Sequence, residues 1–392
     1  MINESTRLLR RLSPQSYIVI VVTILFLVLH NSTPSNQHKP QYTAPTPPTS
    51  PAPTFSHERI HGHDVYWEVP PTKEIKGVLF FAHGCNHAGS DMFPPSSPKQ
   101  HPATLGLPEE QRIRSIALQR HHLAVIAVSS MDATNYGRGC WSPEKDLDST
   151  AAALMAVLST KTESSSSGLH PDLPLFALGA SSGGAFVLLL PSTGLKIDGI
   201  VAQIMGVPPH LLHHPSSSSS STTTKAQTKR TQYPPTVMQH MPKDTRIGSL
   251  VQNDIEQLKN ELEIDVAEIR VLERPVTSEF LSSHSGGALS STDAEKIVEL
   301  LKQHDFIDSE TNMLREDPRR TYDAWSRVVA GVAGEAGVSL EPDASPLTQL
   351  LNVAWAQHEI VSWGVDSALA WLQLLRSGSR GDIGALLEQE KE

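Results

Sequence analysis

The sequence predicts an α/β fold, a mostly parallel central sheet with helices on both faces and a helical insertion before the final helix. Three observations carry that expectation. Apolar runs of five to nine residues recur along the chain and read as strands buried on both faces. Helical patterns stand between them, as crossover connections of a parallel sheet require. One run, at 173–178, passes directly into the glycine-rich turn Gly179-Ala180-Ser181-Ser182-Gly183 and then into helix-compatible residues.

The chain opens on a segment outside that pattern. Arg7, Arg10 and Arg11 precede an apolar run at 17–29, and no Asp, Glu, Lys or Arg occurs between Arg11 and Lys39. The run is short for a membrane span, but its uncharged flanks bring it close to the required length. No small-residue cleavage site follows, so residues 1–30 read as a retained signal anchor. Arginines on the amino-terminal side place that end in the cytosol and the rest in the secretory-pathway lumen or outside the cell. Residues 31–56, rich in Pro, Ser and Thr, read as an extended stem, and 57–392 as the folded region.

Composition narrows the function classes. A net charge of −10 and a pI near 6.0 argue against a nucleic-acid partner, whose phosphates need clustered Lys and Arg. Two cysteines, Cys85 and Cys140, make neither a disulfide scaffold nor a cysteine-based zinc site.

Within the folded region, strands are expected at 64–69, 77–82, 123–129, 173–178, 197–205, 236–240 and 267–272. Helices are expected at 143–159, with Leu147, Ala151, Leu154 and Leu158 on one face, and at 184–190 and 247–262. The serine- and threonine-rich tract at 213–232 reads as an insertion without fixed structure. Further helical patterns at 292–304, 324–332, 346–354 and 366–375 follow, with 278–350 forming a cap-like insertion. Cys85 and Cys140 both follow buried strands at the same sheet edge, which leaves a disulfide and two buried thiols open.

The chemistry concentrates in the loops after these strands. G-x-S-x-G between strand and helix exposes a serine hydroxyl on a sharp turn, and flanking glycines let strand and helix approach closely. Either Ser181 or Ser182 could be the nucleophile, and Ser181 is preferred because Gly179 then occupies the tight turn. The loop His83-Gly84-Cys85-Asn86-His87 follows strand 77–82. It can donate one oxyanion N–H from Gly84 or Cys85, with Ser182 donating the other. His83 and His87 could alternatively bind a metal, but no Asp, Glu or Cys at clear ligand spacing completes the set, and no metal or organic cofactor is expected. Asp244, at the end of strand 236–240, is a candidate catalytic carboxylate or a helix N-cap. Two histidines compete as base. His284 is nearer in sequence but sits in a polar SSHSGG setting, whereas His358 directly precedes a long amphipathic helix.

Together HGCNH, GRGCW, LPLFALGASSGG, HMPKD and a late A-x-HE, spread over about three quarters of the chain, resemble an uncharacterised α/β-hydrolase-like family of plants and algae. The resemblance implies that fold and a catalytic order Ser, Asp, His, without an activity or substrate. The expected function is a membrane-anchored serine hydrolase, of carboxylesterase or lipase type, cleaving an ester or similar acyl bond of a small-molecule or lipid substrate through Ser181, His358 and Asp244. A non-catalytic binding protein on the same fold is the alternative.

Overall fold

The computed structural model describes residues 55–72, 74–96, 104–159, 168–212 and 233–390, all within the compact unit Pro47–Glu392. The expected anchor, nearly all of the stem and the insertion at 213–232 lie outside the described residues. Among the described residues no helix is long and apolar enough to cross a membrane.

Eight strands form one sheet: β1 (Ser56–Ile60), β2 (His63–Glu68), β3 (Gly77–Ala82), β4 (Leu123–Val128), β5 (Leu175–Ala180), β6 (Gly199–Gln203), β7 (Thr236–His240) and β8 (Val266–Arg270). Their spatial order is β1-β2-β4-β3-β5-β6-β7-β8. β2 runs antiparallel to β1 and β4, and every pair from β4 to β8 is parallel. Strands β3 to β7 are buried throughout, which is why their sequences show no alternation. β1 escaped the hydrophobic pattern because it is a polar edge strand, closed onto β2 by His61 and Gly62, both at positive φ.

Helices Pro143–Ser159, Ser182–Leu189 and Thr245–Asn260 connect the parallel strands, and Val365–Arg376 packs Leu372 against Gly199 on β6. A Cβ at Gly199 would lie 2.8 Å from Leu372, so the glycine lets that helix lie close to the sheet. The buried face of Pro143–Ser159 is Asp146, Thr150, Ala153, Leu154, Val157 and Leu158, rotated from the expected Leu147–Ala151 line. Asp146 sets the rotation: its carboxylate oxygens accept the Met131 N–H at 2.9 Å and the Ser142 N–H at 2.7 Å, turning that side inward.

The long stretch between β8 and the last core helix is helical: Ser278–His284, Ser291–Gln303, Tyr322–Glu335 and Pro346–Trp355. Its residues Phe280, Leu281, Ile297, Leu301, Trp325 and Leu350 belong to the same apolar cluster as the sheet residues Leu79, Val125 and Val201. These helices therefore help to build the core.

Candidate active site

The carboxyl ends of β3, β5 and β7 converge on one point. Ser181 lies between β5 and helix Ser182–Leu189 at φ 54° and ψ −120°, a backbone conformation disfavoured for a residue with a Cβ. The flanking glycines make the turn possible. A Cβ at Gly179 would lie 2.1 Å from the Gly183 carbonyl oxygen, and one at Gly183 would lie 2.2 Å from the Ala82 carbonyl oxygen. The Ser181 N–H donates to the Gln203 carbonyl at 3.0 Å, anchoring the turn to β6.

That geometry separates the two adjacent serines. Ser181 Oγ lies 3.0 Å from His358 Nε2, whereas Ser182 Oγ accepts the Trp141 backbone N–H at 3.4 Å. His358 Nδ1 lies 2.8 Å from Asp244 Oδ2. With Asp244 ionised, Nδ1 carries the proton and Nε2 accepts the Ser181 hydroxyl. Burial alone would raise the Asp244 carboxyl, but hydrogen bonds from His358 and from the Ile247 N–H hold it below the ordinary value. Asp244 is also the N-cap of Thr245–Asn260, so the helix cap and the hydrogen bond to His358 coexist on one carboxylate.

His284 is elsewhere. Its Nδ1 lies 2.9 Å from Ser283 Oγ, and its ring packs at 4.7 Å against Phe280. Burial, then Arg112 and Arg274, push it down to about 4.

The loop after β3 faces Ser181. Among the described residues the N–H groups of Gly84, Cys85 and Ser182 have no acceptor. Cys85 and Cys140 are joined as a disulfide with Cα atoms 4.2 Å apart. Beside that bond, the Asn86 N–H donates to the Gly139 carbonyl at 3.1 Å and the Gly139 N–H to the His87 carbonyl at 3.4 Å. His83 is buried and structural: its Nδ1–H donates to the Gly84 carbonyl at 2.7 Å, and its Nε2 accepts the Ser130 N–H at 2.9 Å. Burial pushes it down to about 3, so it is neutral. With both nitrogens occupied it does not pair with His87 on a metal.

An eight-stranded sheet in this order, with β2 alone reversed inside it, carries the sharp serine turn at the end of β5. This is the α/β-hydrolase fold. No family model and no curated protein matches the chain. Among solved structures it is similar to dienelactone hydrolase from Anabaena variabilis, with 16% identity, 56% of this chain and 88% of that chain covered, and a TM-score of 0.34. It is also similar to a sugar hydrolase from Lactococcus lactis, with 12% identity, 73% and 100% covered, and a TM-score of 0.37. A third is MGS-M1, an α/β-hydrolase enzyme from a Medee basin deep-sea metagenome library, with 11% identity, 71% and 100% covered, and a TM-score of 0.37.

Several side chains at this site carried no motif. Arg319 Nη2 donates to the His358 carbonyl at 2.6 Å and to Glu359 Oε2 at 2.8 Å. Asn352 Nδ2 donates to the same Glu359 oxygen at 3.1 Å. The loop bearing His358 is thus held from helix Pro346–Trp355 and from the turn that precedes Tyr322–Glu335. The one trace in sequence is Glu359 beside the histidine, and it does not reveal its partners.

Proposed function

We propose that this protein is a serine hydrolase that cleaves a carboxylic ester or similar acyl bond, of carboxylesterase or lipase type. The observation that carries the reading is the hydrogen-bonded chain Ser181–His358–Asp244 on a strained strand-to-helix turn, with unspent N–H groups beside it. Ser181 Oγ attacks the acyl carbon while its proton passes to His358 Nε2, and the carbonyl π pair moves onto oxygen. The oxyanion is held by the N–H of Ser182 and by that of Cys85 or Gly84. When the intermediate collapses, the bond to the leaving oxygen breaks and that oxygen takes the proton from His358. Water then attacks the acyl-enzyme by the same route, releasing the acid and restoring Ser181.

Residues 1–30 anchor the chain in this proposal, with the hydrolase region in the lumen of the secretory pathway or outside the cell. The Cys85–Cys140 bond supports an oxidising compartment. The five motifs of the α/β-hydrolase-like family of plants and algae support membership there. The substrate is a small-molecule or lipid acyl compound.

Labelling with a fluorophosphonate probe tests the reading. Covalent label on Ser181, lost in Ser181→Ala, is the expected result. Folded wild-type protein that takes no label and turns over no ester would be a binding protein on this fold.

A further inference from the structure

We infer that His87 supplies a side-chain hydrogen-bond donor, Nε2–H, to the oxyanion that forms when Ser181 attacks an acyl carbonyl. The inference rests on the serine hydrolase reading and adds to the backbone donors a third, side-chain group.

Position is the first argument. His87 lies in the loop after β3, three residues beyond Gly84. The point where a Cβ on Gly84 would sit is 3.6 Å from His87 Cδ2 and 3.8 Å from Ser181 Cβ. The imidazole edge and the nucleophile therefore border the same small space beside Gly84. Nε2 is bonded to Cδ2, and among the described residues it has no hydrogen-bond partner.

The opposite edge of the ring is held by carboxylates. Nδ1 lies 3.1 Å from Asp91 Oδ2 and 3.5 Å from Glu110 Oε1, and both acids are buried. The three side chains offer atoms within 4.8 Å of one another, a spacing that could suit a metal ion. Other donors already occupy the acids. Arg138 forks onto Asp91 with Nη2 at 3.0 Å from Oδ2 and Nη1 at 3.3 Å from Oδ1. The Ala88 N–H reaches Oδ2 at 3.2 Å, and Gln349 Nε2 lies 2.7 Å from Glu110 Oε2. The Arg138 guanidinium already supplies positive charge to Asp91, and the cluster works as a hydrogen-bonded support that fixes which ring edge faces the nucleophile.

The support also sets the charge. Burial opposes a charged ring, but the Asp91 hydrogen bond and the carboxylates of Glu110, Asp91 and Glu359 outweigh it and lift His87 to about 9. The charges that bear on it are Asp91, Glu110 and Glu359, with Arg138 paired to Asp91 and His83 nearby held neutral. At neutral pH both ring nitrogens therefore carry hydrogen. When the ring loses a proton, the one that remains stays at Nδ1 between the ring and Asp91, and Nε2 becomes an acceptor that faces an oxyanion unfavourably. His87 transfers no proton in the reaction. It stabilises charge that exists only after attack, so its effect falls on turnover and not on substrate binding.

The test compares wild type with His87→Gln on p-nitrophenyl butyrate. A glutamine amide can reach Asp91 or the oxyanion space but cannot fill both. We expect kcat to fall on the order of 10²-fold with KM within about threefold. We expect binding of a phenylboronic acid, which forms a tetrahedral adduct on serine, to weaken by a comparable factor. A folded His87→Gln protein that still takes fluorophosphonate on Ser181 and keeps kcat within about threefold overturns this inference alone. Wild-type protein that takes no fluorophosphonate overturns the hydrolase reading and this inference with it. If His87→Gln does not fold, wild-type kcat decides: a fall as pH rises through about 9 supports the donor, and a flat profile to pH 10 removes it.

Discussion

Asp244 divides its carboxylate between two tasks: Oδ2 lies 2.8 Å from His358 Nδ1, and Oδ1 accepts the Ile247 N–H at 3.1 Å as the N-cap of Thr245–Asn260. The helix cap therefore aims the acid at the histidine. Asparagine caps a helix about as well as aspartate but cannot take the charge of an imidazolium. Asp244→Asn should keep stability within about 0.5 kcal/mol and lower turnover of p-nitrophenyl butyrate by about 10⁴-fold. Urea unfolding and steady-state kinetics on one sample measure both.

Ser181→Ala and His358→Ala should each lower kcat by at least about 10³-fold. His284→Ala should retain most activity, because its ring packs on Phe280 away from Ser181. The reverse ranking in folded protein would move the base to His284.

Arg319 is the cation on Glu359, and Glu359 is buried within one residue of the histidine. Arg319→Ala leaves that carboxylate with Asn352 and the Ile360 N–H, and frees the His358 carbonyl. Because the arginine itself is partly exposed, the expected loss of stability is about 2–3 kcal/mol, at or below the lower end for a broken buried pair. Turnover should fall as His358 loses its fixed position. Calorimetry and kinetics that show neither change would remove the clamp.

The Cys85–Cys140 bond closes a loop with a sequence separation of 55 and ties the loop after β3 to the segment that ends at Trp141. Reduction, or Cys85→Ser with Cys140→Ser, should cost about 2–4 kcal/mol of stability. It should also lower kcat more than it raises KM. An unchanged melting temperature after complete alkylation of both thiols would contradict this.

Asp254 offers a pH signature away from the site. It is fully buried: Oδ2 accepts the Val207 N–H at 2.8 Å, and among the described residues Oδ1 has no partner. Burial raises it from 3.8 to about 7. Because the folded-state value lies above the unfolded one, the folded protein binds this proton more tightly, and stability is lost as pH rises from about 4 through about 7. Asp254→Asn should therefore add about 2–4 kcal/mol at pH 8 and almost nothing at pH 4. Unfolding free energies for both proteins across that range would show a difference that grows with pH.

The sequence by itself determined the α/β class, the buried strands β3 to β7 and the serine turn, because each is written within a few consecutive residues. A strand buried on both faces must be apolar throughout, and a strand-to-helix turn this tight admits only glycine at positions 179 and 183. The edge strand β1 and the rotated face of Pro143–Ser159 were hidden because polar contacts, not apolar spacing, decide them. The structure puts the expected His358, and not His284, at Ser181. Tertiary structure alone decided that Arg319 and Asn352 hold the neighbouring Glu359 and that Asp91 and Glu110 meet at His87. Some of these partners are far apart in the chain, with Arg319 and Glu359 separated by 40 residues and Asp244 and His358 by 114. No local pattern records them, since what pairs them is the packing of helices that join the same core as the sheet.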